Sequence, residues 1–160
     1  MIFERADIND LDSLVKLRID YLIEDYGEIS ELQINQISER LPDYYLRHLN
    51  KDFFAYVCRE ENKIVSCCFL YVTEKPSNPA FINGKTGTVL NVYTKPEYRK
   101  KGIAGKLISL LISDAKKMEL DFVELKATDA GYNLYKSIGF EDVISKYHNM
   151  KILLDSINNF

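Results

Sequence analysis

The 160-residue sequence predicts a single α/β domain, spanning residues 1–160, in which a mixed sheet carries helices on both faces. The first observation behind this prediction is the order of segments with strand-like or helix-like apolar spacing, which is β-α-α-β-β-β-α-β-α-β-β. The second is an apolar fraction of 46%, ordinary for a globular protein, in a chain without internal repeats or linkers. A chain of this length is sufficient for one hydrophobic core.

The first third of the chain contains a short strand and two helices. Residues 2–5 are the strand, and the apolar stripe that follows at helical spacing ends at Gly27. Ser30 and Gln33 have the capping-box spacing that begins a second helix. Pro42 is expected to interrupt this second helix, because proline has no backbone N–H to donate.

The middle of the chain is rich in strands. Residues 53–59 and 64–73 are two strands joined as a hairpin at Glu61-Asn62. Residues 74–85 contain two prolines, two asparagines and a glycine, and they form the longest predicted loop. Residues 86–94 are the next strand.

The last third alternates between helices and strands. An apolar stripe predicts a helix over residues 103–118, and a strand follows at 122–126. Thr128 or Asp129 begins a short helix that ends at Gly139. Two final strands are expected at 140–144 and 147–154.

The turn between the strand at 86–94 and the following helix is the strongest functional signal. Gly102 lies in it, beside the cations Arg99, Lys100 and Lys101, and Lys106 lies one helical turn further on. The unpaired N–H groups and the dipole of a helix N-terminus favour an anion such as a pyrophosphate. The turn matches neither a P-loop nor a dinucleotide fingerprint. A glycine and lysines can also begin a helix for structural reasons alone, so the turn by itself leaves both interpretations open.

Composition and charge exclude several classes of function. The net charge of −3 argues against a nucleic-acid-binding protein. No apolar run reaches the ~18 residues of a membrane helix, and no apolar leader follows Met1, so we expect a cytoplasmic protein without a membrane partner. Cys58, Cys67 and Cys68 lack CxxC spacing, which predicts buried structural thiols and no metal site.

Two motifs resemble those of the GCN5-related N-acetyltransferases. The acetyl-CoA-binding core of that family, Arg/Gln-x-x-Gly-x-Gly/Ala, is matched by Arg99, Gly102 and Ala104. The family's tyrosine followed by Gly-Phe is matched by Tyr135 and Gly139-Phe140. The resemblance implies a GNAT-like, mainly antiparallel version of the predicted mixed sheet.

The resemblance also implies acetyl-CoA as co-substrate, without a metal. The strand at 86–94 would pair with the pantetheine arm, and the backbone from Lys100 to Gly105 would hold the pyrophosphate. Thr128 stands where many members have asparagine, which leaves its contact with pantetheine open. The implied cofactor-binding residues are Val92, Tyr93, Thr94, Arg99, Lys100, Lys101, Gly102, Ile103, Ala104, Gly105, Lys106 and Thr128.

By the same resemblance Tyr135 is the catalytic general acid, which protonates the CoA thiolate as an amine attacks the acetyl carbon directly. The general base is not identified by the sequence: Glu97 and the carboxylates at 24–28 are candidates, and a water chain is another. The acidic, aromatic stretch 21–28 fits a cationic or amine acceptor, and an ordinary exposed helix end would have the same composition.

The expected function is N-acetylation of a primary amine in a small molecule or an amino acid. The alternatives are a protein or peptide N-acetyltransferase and a non-catalytic CoA-binding sensor module. The resemblance also implies a possible homodimer. The acceptor-binding segments of this family are variable, and here they are residues 21–30 and 74–85.

Overall fold

The computed structural model describes residues 1–154 of the chain. Its strands are β1 (Ile2–Arg5), β2 (Phe53–Glu60), β3 (Lys63–Glu74), β4 (Lys85–Thr94) and β5 (Phe122–Glu124). Its α-helices are α1 (Leu11–Tyr26), α2 (Glu31–His48), α3 (Ile103–Lys117) and α4 (Asp129–Ile138). Short 3₁₀ turns precede α1 and α3.

The five strands form one sheet in the order β1-β2-β3-β4-β5. Every neighbouring pair is antiparallel except β4 and β5, which are parallel. A parallel pair requires a crossover connection, and α3 supplies it. The prediction of a mixed, mainly antiparallel sheet is confirmed.

Helices cover both faces of the sheet, as predicted. One core lies between the sheet and the pair α1 and α2, and another lies beneath α3, with α4 packed at its margin. The alternation along β2 shows why both cores form: Ala55 and Val57 face the first, whereas Tyr56 and Cys58 face the second. All three cysteines are free and buried, which confirms the prediction that they are buried thiols.

The sequence signals for helix ends and for the hairpin turn are confirmed. Ser30 and Gln33 form a reciprocal capping box at the start of α2. Glu61 and Asn62 both have positive φ, at 48° and 63°, as a tight two-residue hairpin requires. Gly139 ends α4 in the left-handed region, at φ 113°.

The expected interruption at Pro42 is wrong, because α2 runs without a break through it. The turn after the proline carries Tyr45, which is 1% exposed and packs its ring against Phe53 and Phe69. This burial offsets the backbone hydrogen bond that the proline cannot make.

The two strands expected at 140–144 and 147–154 are also wrong. The backbone of these residues belongs to no strand, and residues 141–154 are exposed. A strand needs a partner edge, and apolar composition alone does not supply one. Within the described part of the chain, no helix is long and apolar enough to cross a membrane.

Candidate active site

β4 carries a β-bulge in its pairing with β3, and its outer edge is open beyond the residues that pair with β5 in the described chain. Asn91 has φ 55°, and the register with β3 shifts there, so that Leu90 pairs with Phe69 and Tyr93 pairs with Cys67. One residue of β3 therefore faces two of β4, and a bulge of this kind bends its strand. β5 pairs with β4 only at residues 86–88. Beyond that point the outer edge of β4 has no strand neighbour among the described residues.

The bulge is fixed by side chains from both neighbouring elements. Asn91 is 3% exposed, and its Oδ1 accepts a hydrogen bond from Nη1 of Arg18 on α1 at 3.1 Å. Its Nδ2 donates to Sγ of Cys67 at 3.4 Å. Sequence analysis missed both Asn91 and Arg18. The available signals were an asparagine, which tolerates positive φ, inside an apolar strand, and an arginine within an apolar helical stripe.

The turn before α3 presents unpaired backbone donors. Gly102 is its N-cap at φ 73°, and Lys100 is also left-handed, at φ 60°. Lys106 N–H donates to the carbonyl of Gly102, but within residues 1–154 no hydrogen-bond acceptor lies against the N–H groups of residues 100–105. A Cβ placed on Gly102 would meet no atom within 4 Å, so the space beside this turn is open. These features fit a phosphate group.

Arg99 is directed away from this open space. Its Nη2 lies 2.6 Å from Oε2 of Glu24, and its Nε donates to the carbonyl of Thr94 at 2.8 Å. The arginine therefore ties the last turns of α1 to the end of β4. Glu24, one of the candidate bases in the stretch 24–28, is consequently held in an ion pair.

Two of the predicted lysines also lie over aromatic rings. The Nζ of Lys101 is 5.0 Å from the ring centroid of Tyr98, and the Nζ of Lys106 is 5.5 Å from that of Phe3. The ring of Phe3 belongs to β1, at the far edge of the sheet from β5.

The side chains of the remaining strand and turn residues have structural contacts. Tyr93 and Ile103 are buried in opposite cores, and Val92 packs against the α3 side. Oγ1 of Thr94 lies 2.7 Å from Oγ of Ser66. Ala104 and Gly105 are half-buried at the start of α3. What these positions can offer a ligand is therefore mainly backbone.

Tyr135 lies on the α3 and α4 side of the opened edge. It is half-buried, and its ring packs edge-on against Phe140 at a centroid distance of 5.9 Å. Burial raises the pKa of Tyr135 to about 12, with smaller contributions from the Cys68 thiol and the Tyr21 phenol. A phenol with this pKa stays protonated at neutral pH, as a general acid must.

The start of α4 sets the position of Tyr135. Oγ1 of Thr128 accepts from the N–H of Gly131 at 3.3 Å, so the threonine hydroxyl caps the helix. A Cβ on Gly131 would lie 2.8 Å from Cε2 and 3.4 Å from Oη of Tyr135. The tyrosine thus folds back over the glycine four residues earlier. Sequence analysis did not single out this contact between Gly131 and the Tyr135 ring.

Several carboxylates lie on the opposite, α1 side of the opened edge. Asp25, Glu28 and Glu97 are all exposed, and Oδ2 of Asp25 lies 3.5 Å from Oη of Tyr21. Burial raises the pKa of Tyr93, and the negative charges of Asp20 and Glu24 raise it further. Asp20 therefore lies near β4, although sequence analysis did not single it out. No single carboxylate is marked as the base by these contacts.

A cavity of about 220 Å³ lies beside the bulge, between the helix pair α1 and α2 and the sheet. Its lining residues are Arg18, Leu41, Tyr44, Tyr45, Phe53, Phe69 and Leu90. A larger cavity of about 440 Å³ lies at the other end of β3, beside Glu74 and Lys85, and touches neither the bulge nor Tyr135. Of these two cavities, only the smaller one lies beside the bulge.

Comparison with known proteins agrees with this geometry. Residues 14–140 match the model of the acetyltransferase (GNAT) family. A predicted acetyltransferase from Clostridium acetobutylicum, solved with acetyl-CoA, superposes with a TM-score of 0.82 at 26% identity, covering 94% of this chain and 95% of that chain.

Two further solved structures share the fold at lower identity. A GCN5-related N-acetyltransferase from Ralstonia eutropha superposes with a TM-score of 0.76 at 24% identity, covering 93% of this chain and 97% of that chain. An aminoglycoside acetyltransferase from an uncultured soil metagenomic sample superposes with a TM-score of 0.65 at 21% identity, covering 94% of this chain and 96% of that chain. No curated protein matches the chain significantly. From the family match and the fold together, the chain belongs to the GNAT acetyltransferases and is an N-acetyltransferase.

Proposed function

We propose that this enzyme transfers an acetyl group from acetyl-CoA to the primary amine of a small molecule or an amino acid. The observation that carries the proposal is the open β4 edge beside the Asn91 bulge. It lies between Tyr135 on one side of the sheet and the cavity beside Arg18 on the other. The acetyl-CoA bound to the Clostridium relative supports the choice of donor.

The proposed donor site uses backbone groups. The unpaired edge of β4 at Val92, Tyr93 and Thr94 would pair with the amide-bearing pantetheine arm, as an added strand would. The N–H groups from Lys100 to Gly105 would hold the pyrophosphate. Gly102 keeps the adjacent space open.

In the proposed mechanism Tyr135 keeps its proton until the carbon–sulfur bond of the thioester breaks. The attacking nitrogen forms a bond to the acetyl carbon, and the phenol then donates its proton to the departing CoA thiolate. Partial burial raises the pKa of the phenol and so keeps it protonated at neutral pH. The proton lost by the amine goes to a carboxylate of α1 or to a water chain.

The size of the cavity favours a small acceptor over a protein segment. At about 220 Å³ it is smaller than the ~300–1,000 Å³ typical of sites for drug-sized ligands. It accommodates one compact group beside the bulge.

The test is release of free thiol from acetyl-CoA with a panel of amines, amino acids, aminoglycosides and peptides. We expect turnover with a small amine or amino acid, and Tyr135→Phe should lower kcat by ~10²–10⁴-fold with little change in acetyl-CoA binding. Saturable acetyl-CoA binding that is lost in Gly102→Glu, without transfer to any acceptor, would instead support the CoA-binding sensor. Turnover with peptides alone would support the protein N-acetyltransferase.

The proposal includes a homodimer, supported by the exposed C-terminal segment. Apolar side chains of residues 143–154 are exposed, and such a patch is typical of an interaction surface. Its large apolar members are Val143, Ile144, Tyr147, Met150, Ile152, Leu153 and Leu154. Light scattering should give twice the monomer mass, and Leu153→Asp should reduce it; a monomer at all concentrations would contradict this part.

A further inference from the structure

The guanidinium of Arg18 lies in the wall of the acceptor cavity without a carboxylate partner among residues 1–154. Its only hydrogen bond within the described chain is the one from Nη1 to Asn91, and its Cζ lies 5.7 Å from the ring centroid of Tyr21. A guanidinium has five N–H donors, so most of them stay available. A cation placed in this way attracts an anionic group.

A second residue of the same cavity carries a buried polar atom without a hydrogen-bond partner among the described residues. Tyr45 lines the cavity and is 1% exposed, and its Oη has no hydrogen-bond partner among the described residues. Burial raises the pKa of Tyr45, and the positive charge of Arg18 offsets part of that rise. The charge of Arg18 opposes the effect of burial on Tyr44 in the same way. Tyr45 and Arg18 both line this one cavity.

The rest of the cavity is apolar. Its other walls are formed by Leu41, Phe53, Phe69 and Leu90, together with the ring of Tyr44. Such a wall suits an aliphatic or aromatic side chain. A buried hydroxyl left without a partner is costly, so a ligand that supplies an acceptor there gains affinity.

Among the described residues, no carboxylate of the acidic stretch on α1 forms an ion pair with Arg18. Glu24 is paired with Arg99, and Asp25 lies against Tyr21.

We propose that the acceptor is an apolar or aromatic α-amino acid whose carboxylate is bound by the Arg18 guanidinium and the Tyr45 hydroxyl. This inference rests on the proposed function and names its substrate class. Arginine and a hydroxyl donor are well suited to a carboxylate. With the carboxylate held beside the bulge, the amino group attached to the same carbon lies near the opened β4 edge.

The experiment compares L-phenylalanine, L-leucine and L-methionine, each with its own amide, as acetyl acceptors. For the native enzyme we expect kcat/KM to be at least about tenfold higher for at least one acid than for its amide. In Arg18→Met this ratio should fall to near one, whereas Arg18→Lys should keep part of it. Tyr45→Phe should lower the ratio by a smaller factor. Lys16→Met removes an exposed cation from the same helix and should leave the ratio unchanged.

The native enzyme alone can overturn the inference, even if the variants do not fold. Equal turnover of every acid and its amide would do so, as would turnover of amines without any acid. An equal loss for acid and amide in folded Arg18→Met would also contradict it.

The failure of the proposed function has a different signature, namely no acetyl transfer to any amine. Calorimetry with N-acetyl-L-phenylalanine and its amide then decides the inference. Binding of the acid alone, lost in Arg18→Met, would support the carboxylate site, and absence of binding would overturn it.

Discussion

The substitution Gly131→Ala tests the position of Tyr135 directly. The new Cβ would lie 2.8 Å from Cε2 of the tyrosine, whereas ordinary contacts begin at 3.4 Å, so the ring must retreat by about 0.6 Å (3.4 − 2.8). A misplacement of ~1 Å in a reacting group costs on the order of 10²-fold in rate. We therefore expect kcat to fall by about 10- to 100-fold, with the KM for acetyl-CoA nearly unchanged.

The same substitution should change stability little. Overpacking costs about 1–3 kcal/mol when the neighbour cannot move. Here the neighbour is a half-buried ring at the end of a side chain, and replacing glycine in a helix recovers ~0.5–1 kcal/mol. Thermal unfolding should therefore place Tm within a few degrees of the native value. A loss of kcat at constant Tm separates displacement of the phenol from unfolding.

The matched control is Gly131→Ala in a Tyr135→Phe background. If the glycine acts through the phenol, the second substitution adds little to the loss already caused by the first. If the double variant shows the product of the two full losses of kcat, the reasoning is refuted. So would native turnover by Gly131→Ala with its Tm unchanged.

Three further predictions concern stability and pH. Gly87→Ala would place a Cβ 2.7 Å from Cδ1 of Leu70, and denaturant unfolding should show a loss of about 1–3 kcal/mol; native stability would contradict this packing. Burial raises the pKa of Asp10, but hydrogen bonds and the charge of Arg59 outweigh it and leave the pKa below 3.8. The stabilisation of the fold by the ionised Asp10 carboxylate is therefore present above pH ~4, and it is lost as the pH falls through the lowered pKa. Asp10→Asn should lower Tm at pH 7 and less at pH 3, and an equal loss at both would exclude the ion pair. Because the pKa of Tyr135 is about 12, kcat should show no decline from its ionisation up to about pH 10, and a decline abolished by Tyr135→Phe would refute this.

Local interactions explain why so many elements were predictable from the sequence. The capping box of Ser30 and Gln33, the turn at Glu61-Asn62 and the cap at Gly139 depend only on residues a few positions apart. The alternation along β2 likewise predicts two buried faces. The family motifs around Gly102 and Tyr135 are similarly short, and they carried the prediction of the family.

Predictions that depended on a distant partner were less successful. Pro42 lies within a continuous helix because Tyr45, three residues later, packs on Phe53 of β2. The sequence alone does not show that β2 lies against this helix. Residues 140–154 have apolar, strand-like composition, yet among the described residues no strand edge receives them. In both cases tertiary packing overrides local propensity.

The sequence by itself determined the family, the order of most elements and the turn that offers N–H groups to an anion, because these depend on short-range patterns. Only the tertiary structure decided where the site opens and what the acceptor meets. The bulge at Asn91 is held by a hydrogen bond that Arg18, 73 residues away, donates from the facing helix. The ion pair of Arg99 with Glu24 and the hydroxyl of Tyr45, unpartnered among the described residues, likewise depend on side chains that are distant in sequence. Each of these outcomes depends on which distant side chains share one cavity, and spacing along a single chain does not encode that distance.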